Sequence, residues 1–179
     1  MVWSSARDAG SYLWMSHPSV GVEDHSVGMV TTGPPTPAAP GAERSRIMRG
    51  IRRFDTRPEL LVRSELHRRG LRFRVHLPVP PAPRRTIDVA LTRARIAVFV
   101  DGCFWHSCPE HLHLPSNNRD WWHWKLGTVT ARDRDTDGLL RAAGWSVVRL
   151  WEHDDVESAG ARVEELWRRR CHPPSTSAP

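Results

Sequence analysis

The sequence predicts an α/β domain, a mixed sheet of three to five strands with helices on its faces. Three observations carry this: an amphipathic helix with a start signal at Thr56, two β-rich runs joined by three residues, and a strand, long helix and strand in succession. The first pair of runs makes an antiparallel hairpin. The long crossover makes the next pairing parallel, so the sheet is mixed.

Residues 1–42 hold five Pro and five Gly, few charges and no sustained period, and read as a disordered N-terminal extension. Arg44 to Arg53 predicts a short basic helix. Thr56-Arg57-Pro58-Glu59 reads as a capping box with Pro in the first turn. Leu61, Val62 and Leu66 form the buried side of that helix, and Gly70 ends it. Leu71, Phe73 and Val75 alternate with Arg72, Arg74 and His76, the period of a strand with one buried face, until a Pro-rich loop from Pro78 to Pro83 interrupts it.

Thr86 to Leu91 and Arg95 to Asp101 are the hairpin, turned at Thr92-Arg93-Ala94. Ile96-Ala97-Val98-Phe99-Val100 lacks polar alternation, as a central strand covered on both faces does. A helix from Arg119 to Ala143, with Gly127 and Gly138 as points where it can break, closes at Gly144. Trp145 to Trp151 is the following strand, Asp155 to Arg170 the last helix, and residues 171–179 a Ser/Pro tail.

The 179 residues are 39% apolar and 26% charged, the balance of a soluble globular domain. No run approaches the eighteen apolar residues of a membrane span, and the first thirty lack the basic and apolar regions of a secretory signal, so a cytoplasmic protein is expected. The net charge is +6, and 25 of the 26 basic residues are Arg. Between Glu43 and Arg74, eleven Arg face four acidic residues, a balance of +7 that leaves the rest of the chain near neutral. Such a segment is either a polyanion-binding surface or a solvated helix face.

Asp88 and Asp101 lie on neighbouring predicted strands, with Asp88 on the opposite side of its strand from Ile87, Val89 and Leu91. Two carboxylates and an intervening carbonyl, such as that of Val100, are hard oxygen ligands that suit Mg²⁺ and hence phosphodiester hydrolysis. The competing reading is that Asp88 answers an Arg and Asp101 caps a turn.

Cys103, Cys108 and His111 have the local spacing of a thiolate and imidazole zinc site, for which His153 is the candidate fourth ligand. Four protein ligands leave no open position, so the Zn²⁺ would be structural. The alternative is two buried thiols beside an exposed His. His106, in the same loop, can act as general base near neutral pH, with Asp133 able to face it from the long helix. A loop histidine and a solvated acid would account for both without catalysis.

Of nine Trp, six fall between Trp105 and Trp151. Phe104-Trp105 and the run Trp121-Trp122-His123-Trp124 exceed what one small core absorbs and could stack on bases, with plain packing the alternative.

Taken together, Arg46-Ile47-Met48-Arg49, Asp55 to Leu60, Gly70 to Val75, Ile87-Asp88, Val98 through Gly102-Cys103-Phe104-Trp105-His106, Arg132-Asp133, and Gly144-Trp145 through Trp151-Glu152-His153 resemble the very short patch repair (Vsr) endonucleases. The resemblance runs from about Arg44 to Trp167 and is most specific in Gly-Cys-Phe-Trp-His. It implies a restriction-endonuclease-like fold over residues 43–170. It also implies a Mg²⁺-dependent enzyme that nicks one strand of double-stranded DNA beside a T:G mismatch, leaving a 5′-phosphate and a 3′-hydroxyl.

By that resemblance Asp88 and the Val100 carbonyl hold the catalytic metal and His106 is the base. Glu59 and Asp133 support them, although the capping box explains Glu59 equally well; Asp101 departs from the family's best-known form, which has His there, and is either an extra metal ligand or only a partner for another side chain. Phe104, Trp105 and Trp122 wedge into DNA, Arg46 and Arg49 contact it, and Cys103, Cys108, His111 and His153 fall on or near the structural zinc ligands. The expected protein is a monomer associated with the nucleoid, with mismatch-repair proteins open as partners. A restriction-type or structure-specific nuclease, a non-catalytic DNA-binding module stapled by zinc, and a zinc hydrolase of small substrates are the rival readings.

Overall fold

The computed structural model describes residues 36–37, 54–80 and 82–172. Apart from residues 36 and 37, the N-terminal extension lies outside them. So do the basic helix at Arg44–Arg53 with its candidate DNA contacts Arg46 and Arg49, and residues 173–179 of the tail.

The described chain runs α1 (Arg57–Arg68), β1 (Arg74–Val79), β2 (Ala82–Leu91), β3 (Ile96–Asp101), α2 (Arg119–Ala142), β4 (Ser146–Trp151) and α3 (Val156–Cys171). The four strands form one sheet in the order β1-β2-β3-β4. The first two pairings are antiparallel and β3 pairs β4 in parallel, with Ile96 opposite Ser146 and Asp101 opposite Trp151. The mixed sheet is therefore the one that the hairpin and the crossover predict.

Each face of the sheet has its own core. Val62 and Leu66 of α1 and Ala159 and Val163 of α3 pack on Val89, Leu91, Ile96, Val98 and Leu150. On the opposite face Leu140 of α2 packs on Val79, Ile87, Ala90, Ala97 and Phe99, with Trp145 and Val147 at the margin. β3 alternates between the two clusters, which is why its sequence shows no polar period. Among the described residues no helix is long and apolar enough to cross a membrane.

Several local expectations change, among them the buried face of the first strand, since β1 begins only at Arg74 and Val75 is 43% exposed. Thr56 is the N-cap of α1 but makes no side-chain cap hydrogen bond, because its hydroxyl donates to Glu59 Oε1 at 2.9 Å and is turned away from the helix backbone. Leu61 is 46% exposed, so the buried side of α1 is Val62 and Leu66 without it. Pro78 and Pro83 lie within strands; β1 is an edge strand, which tolerates a missing N–H, and the register shifts between Pro78 and Val79. Gly127 and Gly138 do not break α2, which is continuous for 24 residues, since each contributes one backbone bond to a helix anchored elsewhere by packing. Finally, Ile87 packs with the second cluster whereas Val89 and Leu91 pack with the first, so the expected common side of β2 is lost at Asp88. Opposite that point β1 carries His76 at φ +50°, outside the extended range of a strand.

Candidate active site and metal-ligating cluster

The break in β2 opens the site. The β2–β3 ladder pairs Leu91 with Ile96, Ala90 with Ala97 and Val89 with Val98. Beyond Val89 the side chain of Asp88 takes over, and its Oδ2 accepts the N–H of Val100 at 2.9 Å. A cavity of about 670 Å³ lies there, lined among others by Glu59, Asp88, Val100, Asp101, His106 and Asp133. Asp88 and His106 thus share one cavity.

Glu59, Asp88, Asp101, Asp133 and Glu152 are the carboxylates that line it. Burial, with the charges of Glu59 and Asp101, pushes the Asp88 carboxyl up to about 6 against the N–H of Val100. Glu59 is 5% exposed; Oε2 accepts from the Asp55 N–H at 3.1 Å and from Arg63 Nη2 at 2.8 Å. It is fixed by contacts at its own helix start and still lines the cavity. Asp101 lines the cavity too, but both its carboxylate oxygens accept from Arg149 Nη1 at 2.8 Å. Burial raises its pKa against the opposing charges of His106 and Arg149. Among the described residues Asp88 Oδ1 has no hydrogen-bond donor, which leaves it as the available ligand atom.

His106 comes from the loop after β3. That loop turns back through His106 N–H to Gly102 C=O at 3.1 Å and Cys108 N–H to Cys103 C=O at 2.8 Å, with Ser107 at φ +57°. Its Nδ1 lies 2.6 Å from Asp133 Oδ2 and 3.5 Å from Asp101 Oδ1. An ionised carboxylate only accepts, so Nδ1 carries the proton and Nε2 is the basic nitrogen. Burial lowers the pKa of the imidazole, but the Asp133 hydrogen bond and the charges of Asp101 and Asp133 outweigh it and raise it above the usual value.

The aromatic residues gather beside this site. Phe104 meets Trp105 edge-on at 5.2 Å and Trp122 at 4.9 Å between ring centroids, and Trp121 meets Trp122 at 4.7 Å. All four are half-buried, and Trp105 also lines the cavity. Trp124, early in α2, is 42% exposed, while Trp145 packs on the sheet.

On the other side of the loop, Cys103, Cys108, His111 and His153 bring ligand atoms within 4.8 Å of one another. Cys103 Sγ is 3.0 Å from His153 Nδ1 and 3.9 Å from His111 Nδ1, and Cys108 Sγ is 3.7 Å from His111 Nδ1. A tetrahedral zinc with ordinary bond lengths sets sulfur and nitrogen about 3.5 Å apart, so this donor set fits a metal of that kind. The parallel pairing of Asp101 with Trp151 delivers the distant candidate ligand His153 to the loop. Glu152 fastens the same junction, its Oε1 accepting the Cys103 N–H at 2.7 Å.

Residues 39–110 match the family model described as DNA mismatch endonuclease Vsr. The chain is 36% identical over 115 residues to the DNA mismatch endonuclease Vsr of Escherichia coli strain K12, an overlap of 62% of this chain and 70% of that protein. It is 40% identical over 144 residues to the Type II nicking enzyme V.NaeI of Lentzea aerocolonigenes, an overlap of 79% of this chain and 87% of that protein. The chain belongs to the Vsr endonuclease family. A further relative is the Type II nicking enzyme V.XorIIP of Xanthomonas oryzae pv. oryzae, 38% identical over 128 residues, which are 69% of this chain and 92% of that protein.

This Vsr-family DNA endonuclease holds several further groups in and beside its cavity that the sequence pattern does not bring together. Arg149 interrupts the apolar run of β4, a signal that was available, but its partners are distant in sequence. Arg63 joins Asp55, Glu59 and His76, and its Nε and His76 Nδ1 are buried without a hydrogen-bond partner among the described residues. Asp55, Glu59 and His76 also lie close enough to suggest a cation site. Arg63 already contacts all three, so the cation there is the guanidinium. Arg84 and Arg132 line the cavity and are exposed, placing positive charge at its mouth above the buried acids.

Proposed function

We propose that this Vsr-family endonuclease is Mg²⁺-dependent and, as a monomer, nicks one strand of duplex DNA next to a T:G mismatch. The single observation that carries the reading is the convergence of Asp88 and His106 on one cavity, with His106 hydrogen-bonded to Asp133. Asp88 Oδ1 and the Val100 carbonyl would hold the magnesium ion. The donor set suits it, since Asp88 is a hard oxygen ligand whose ionisation is opposed by burial and by Glu59 and Asp101. When bound, the ion supplies Lewis-acid charge beside the scissile phosphate.

The protein's own groups do the rest. Nε2 of His106 takes a proton from the attacking water as its oxygen bonds to phosphorus, and Asp133 on Nδ1 stabilises the imidazolium that results. The bond from phosphorus to the 3′-oxygen breaks and that oxygen takes a proton from solvent water, leaving the 5′-phosphate and 3′-hydroxyl ends that repair synthesis requires. Arg84 and Arg132 are suited to contact flanking phosphates. The half-buried rings of Phe104, Trp105 and Trp122 would replace base stacking lost where the duplex is wedged open. The Cys103, Cys108, His111 and His153 set would hold a structural zinc that braces the loop carrying His106.

The test is nicking of matched and T:G-mismatched duplexes with Mg²⁺, by wild type and by Asp88→Ala. The expected result is Mg²⁺-dependent scission of the mismatched strand, abolished by the substitution with duplex affinity largely kept. Equal cutting of both duplexes would replace the mismatch reading with a restriction-type or structure-specific one.

A further inference from the structure

Arg149 is the one charged residue of β4, and only 25% of its side chain is exposed. A guanidinium that far from water must be fully answered by acceptors, and here the acceptors come from two other elements. Nη1 donates to both carboxylate oxygens of Asp101 at the end of β3, each at 2.8 Å. Nε donates to Asp137 Oδ1 at 3.1 Å and Nη2 to the Asp133 carbonyl oxygen at 3.4 Å, both on α2. Its plane carbon lies 4.7 Å from the centroid of Phe99, its neighbour in the parallel ladder. These donors are spent inside the protein, so Arg149 is not placed as a phosphate ligand in the way exposed Arg84 and Arg132 are.

The consequence concerns His106. Two carboxylates reach towards Nδ1, Asp133 at 2.6 Å and Asp101 at 3.5 Å. One ring N–H can serve only one of them well. By engaging both oxygens of Asp101 and the backbone of Asp133, the guanidinium decides which. We propose that Arg149 is a positioning residue for strand scission: it withholds Asp101 from His106 and fixes Asp133 against it. This rests on the reading of His106 as the base, and it goes beyond that reading by assigning how the ring is aimed.

The experiment compares Arg149→Met, Arg149→Lys and the double variant Asp101→Asn with Arg149→Met. It measures single-turnover nicking at saturating duplex, duplex affinity, and the NMR signal of the His106 Nδ1 proton in the full-length protein. Misaiming a catalytic group is expected to slow Arg149→Met by about 100-fold with duplex affinity changed less than about threefold. The hydrogen-bonded Nδ1 signal should shift or broaden in this variant. Asp101→Asn in the same chain removes the competing anion and should recover about tenfold of the rate, together with the signal, as coupled neighbours do. Arg149→Lys keeps the charge on Asp101 without the fork onto α2 and should fall between wild type and Arg149→Met, which serves if the latter does not fold.

An unchanged rate and Nδ1 signal in Arg149→Met or Arg149→Lys would overturn the proposal. So would a parallel loss of rate, affinity and fold that Asp101→Asn does not relieve. A wild type that never nicks, with the Nδ1 signal still responding to Arg149 as described, would reject the nuclease mechanism and retain the positioning role.

Discussion

Asp88 Oδ2 accepts the N–H of Val100 at 2.9 Å where the β2–β3 ladder has already ended at Val89 and Val98. A side chain thus does the work of a backbone carbonyl, the strands diverge behind it, and the space becomes the cavity. Holding a carboxylate in that place has a thermodynamic consequence.

The Asp88 carboxyl is raised from 3.8 to about 6, so the folded chain binds its proton more tightly than the unfolded chain does. Between those values the folded state carries the extra proton, and this group's contribution to stability falls as pH rises through the window. Asp88→Asn keeps an acceptor for Val100 but cannot ionise. In magnesium-free buffer it is expected to raise the unfolding free energy at about pH 7.5 by about 2 kcal/mol, and to be neutral below about pH 4. Urea unfolding at the two pH values reads this directly; equal effects at both would contradict it.

Nicking should show a second, distinct pH dependence. His106 is a base only when neutral, and Asp133 and Asp101 hold its pKa above the usual 6.5 against the pull of burial. The acidic limb of the rate profile is expected above the ordinary histidine range. Asp133→Asn weakens the support, so the limb should move to lower pH while the plateau rate drops by about 10-fold to 100-fold. A limb that stays in place would assign it to another group.

Metal content gives the third expectation. One zinc per chain should be found by elemental analysis, and Cys108→Ser or His153→Ala should lose it together with a large drop in the thermal midpoint, because a structural zinc contributes folding energy. Zinc loss that ends activity and leaves the fold and midpoint intact would point to catalytic zinc.

The α1–α3 contact supplies a fourth. A Cβ at Gly160 would stand 2.6 Å from Glu65 Cγ and 2.8 Å from Arg69 Nε. Those two residues are tied to each other and to Glu164, with Arg69 Nη1 donating to Glu164 Oε2 at 2.8 Å, so neither swings away freely. Gly160→Ala is expected to cost about 1–3 kcal/mol. Gly138→Ala, in α2 with nothing within 4 Å, should stabilise by about 0.5–1 kcal/mol. Denaturant midpoints with unchanged slopes would verify the pair, and a neutral Gly160→Ala would refute the close approach.

Local pattern was enough to read much of this protein. The unbroken apolar run of Ile96–Val100 marks a strand covered on both faces, the short turn after Leu91 an antiparallel pair, and the helix between two strands a parallel one. The short spacing of Cys103, Cys108 and His111 marks a loop whose donor atoms gather, as they do with His153 in the structure. These are consequences of chain connectivity and residue period, which a linear sequence states outright.

What the tertiary structure alone decided are relationships between distant groups. Nothing in the order of residues says that β2 loses its alternation at Asp88, that Arg149 claims Asp101, or that Gly160 must be small because Glu65 and Arg69 press on it. Each depends on which side chain wins a shared donor or a shared space, a competition set by distances of a few ångströms between elements up to about a hundred residues apart in the chain. Asp101 is the clearest case: its place on the strand next to that of Asp88 suggests a metal-site acid, and only the packed guanidinium of Arg149 reveals where its charge is used.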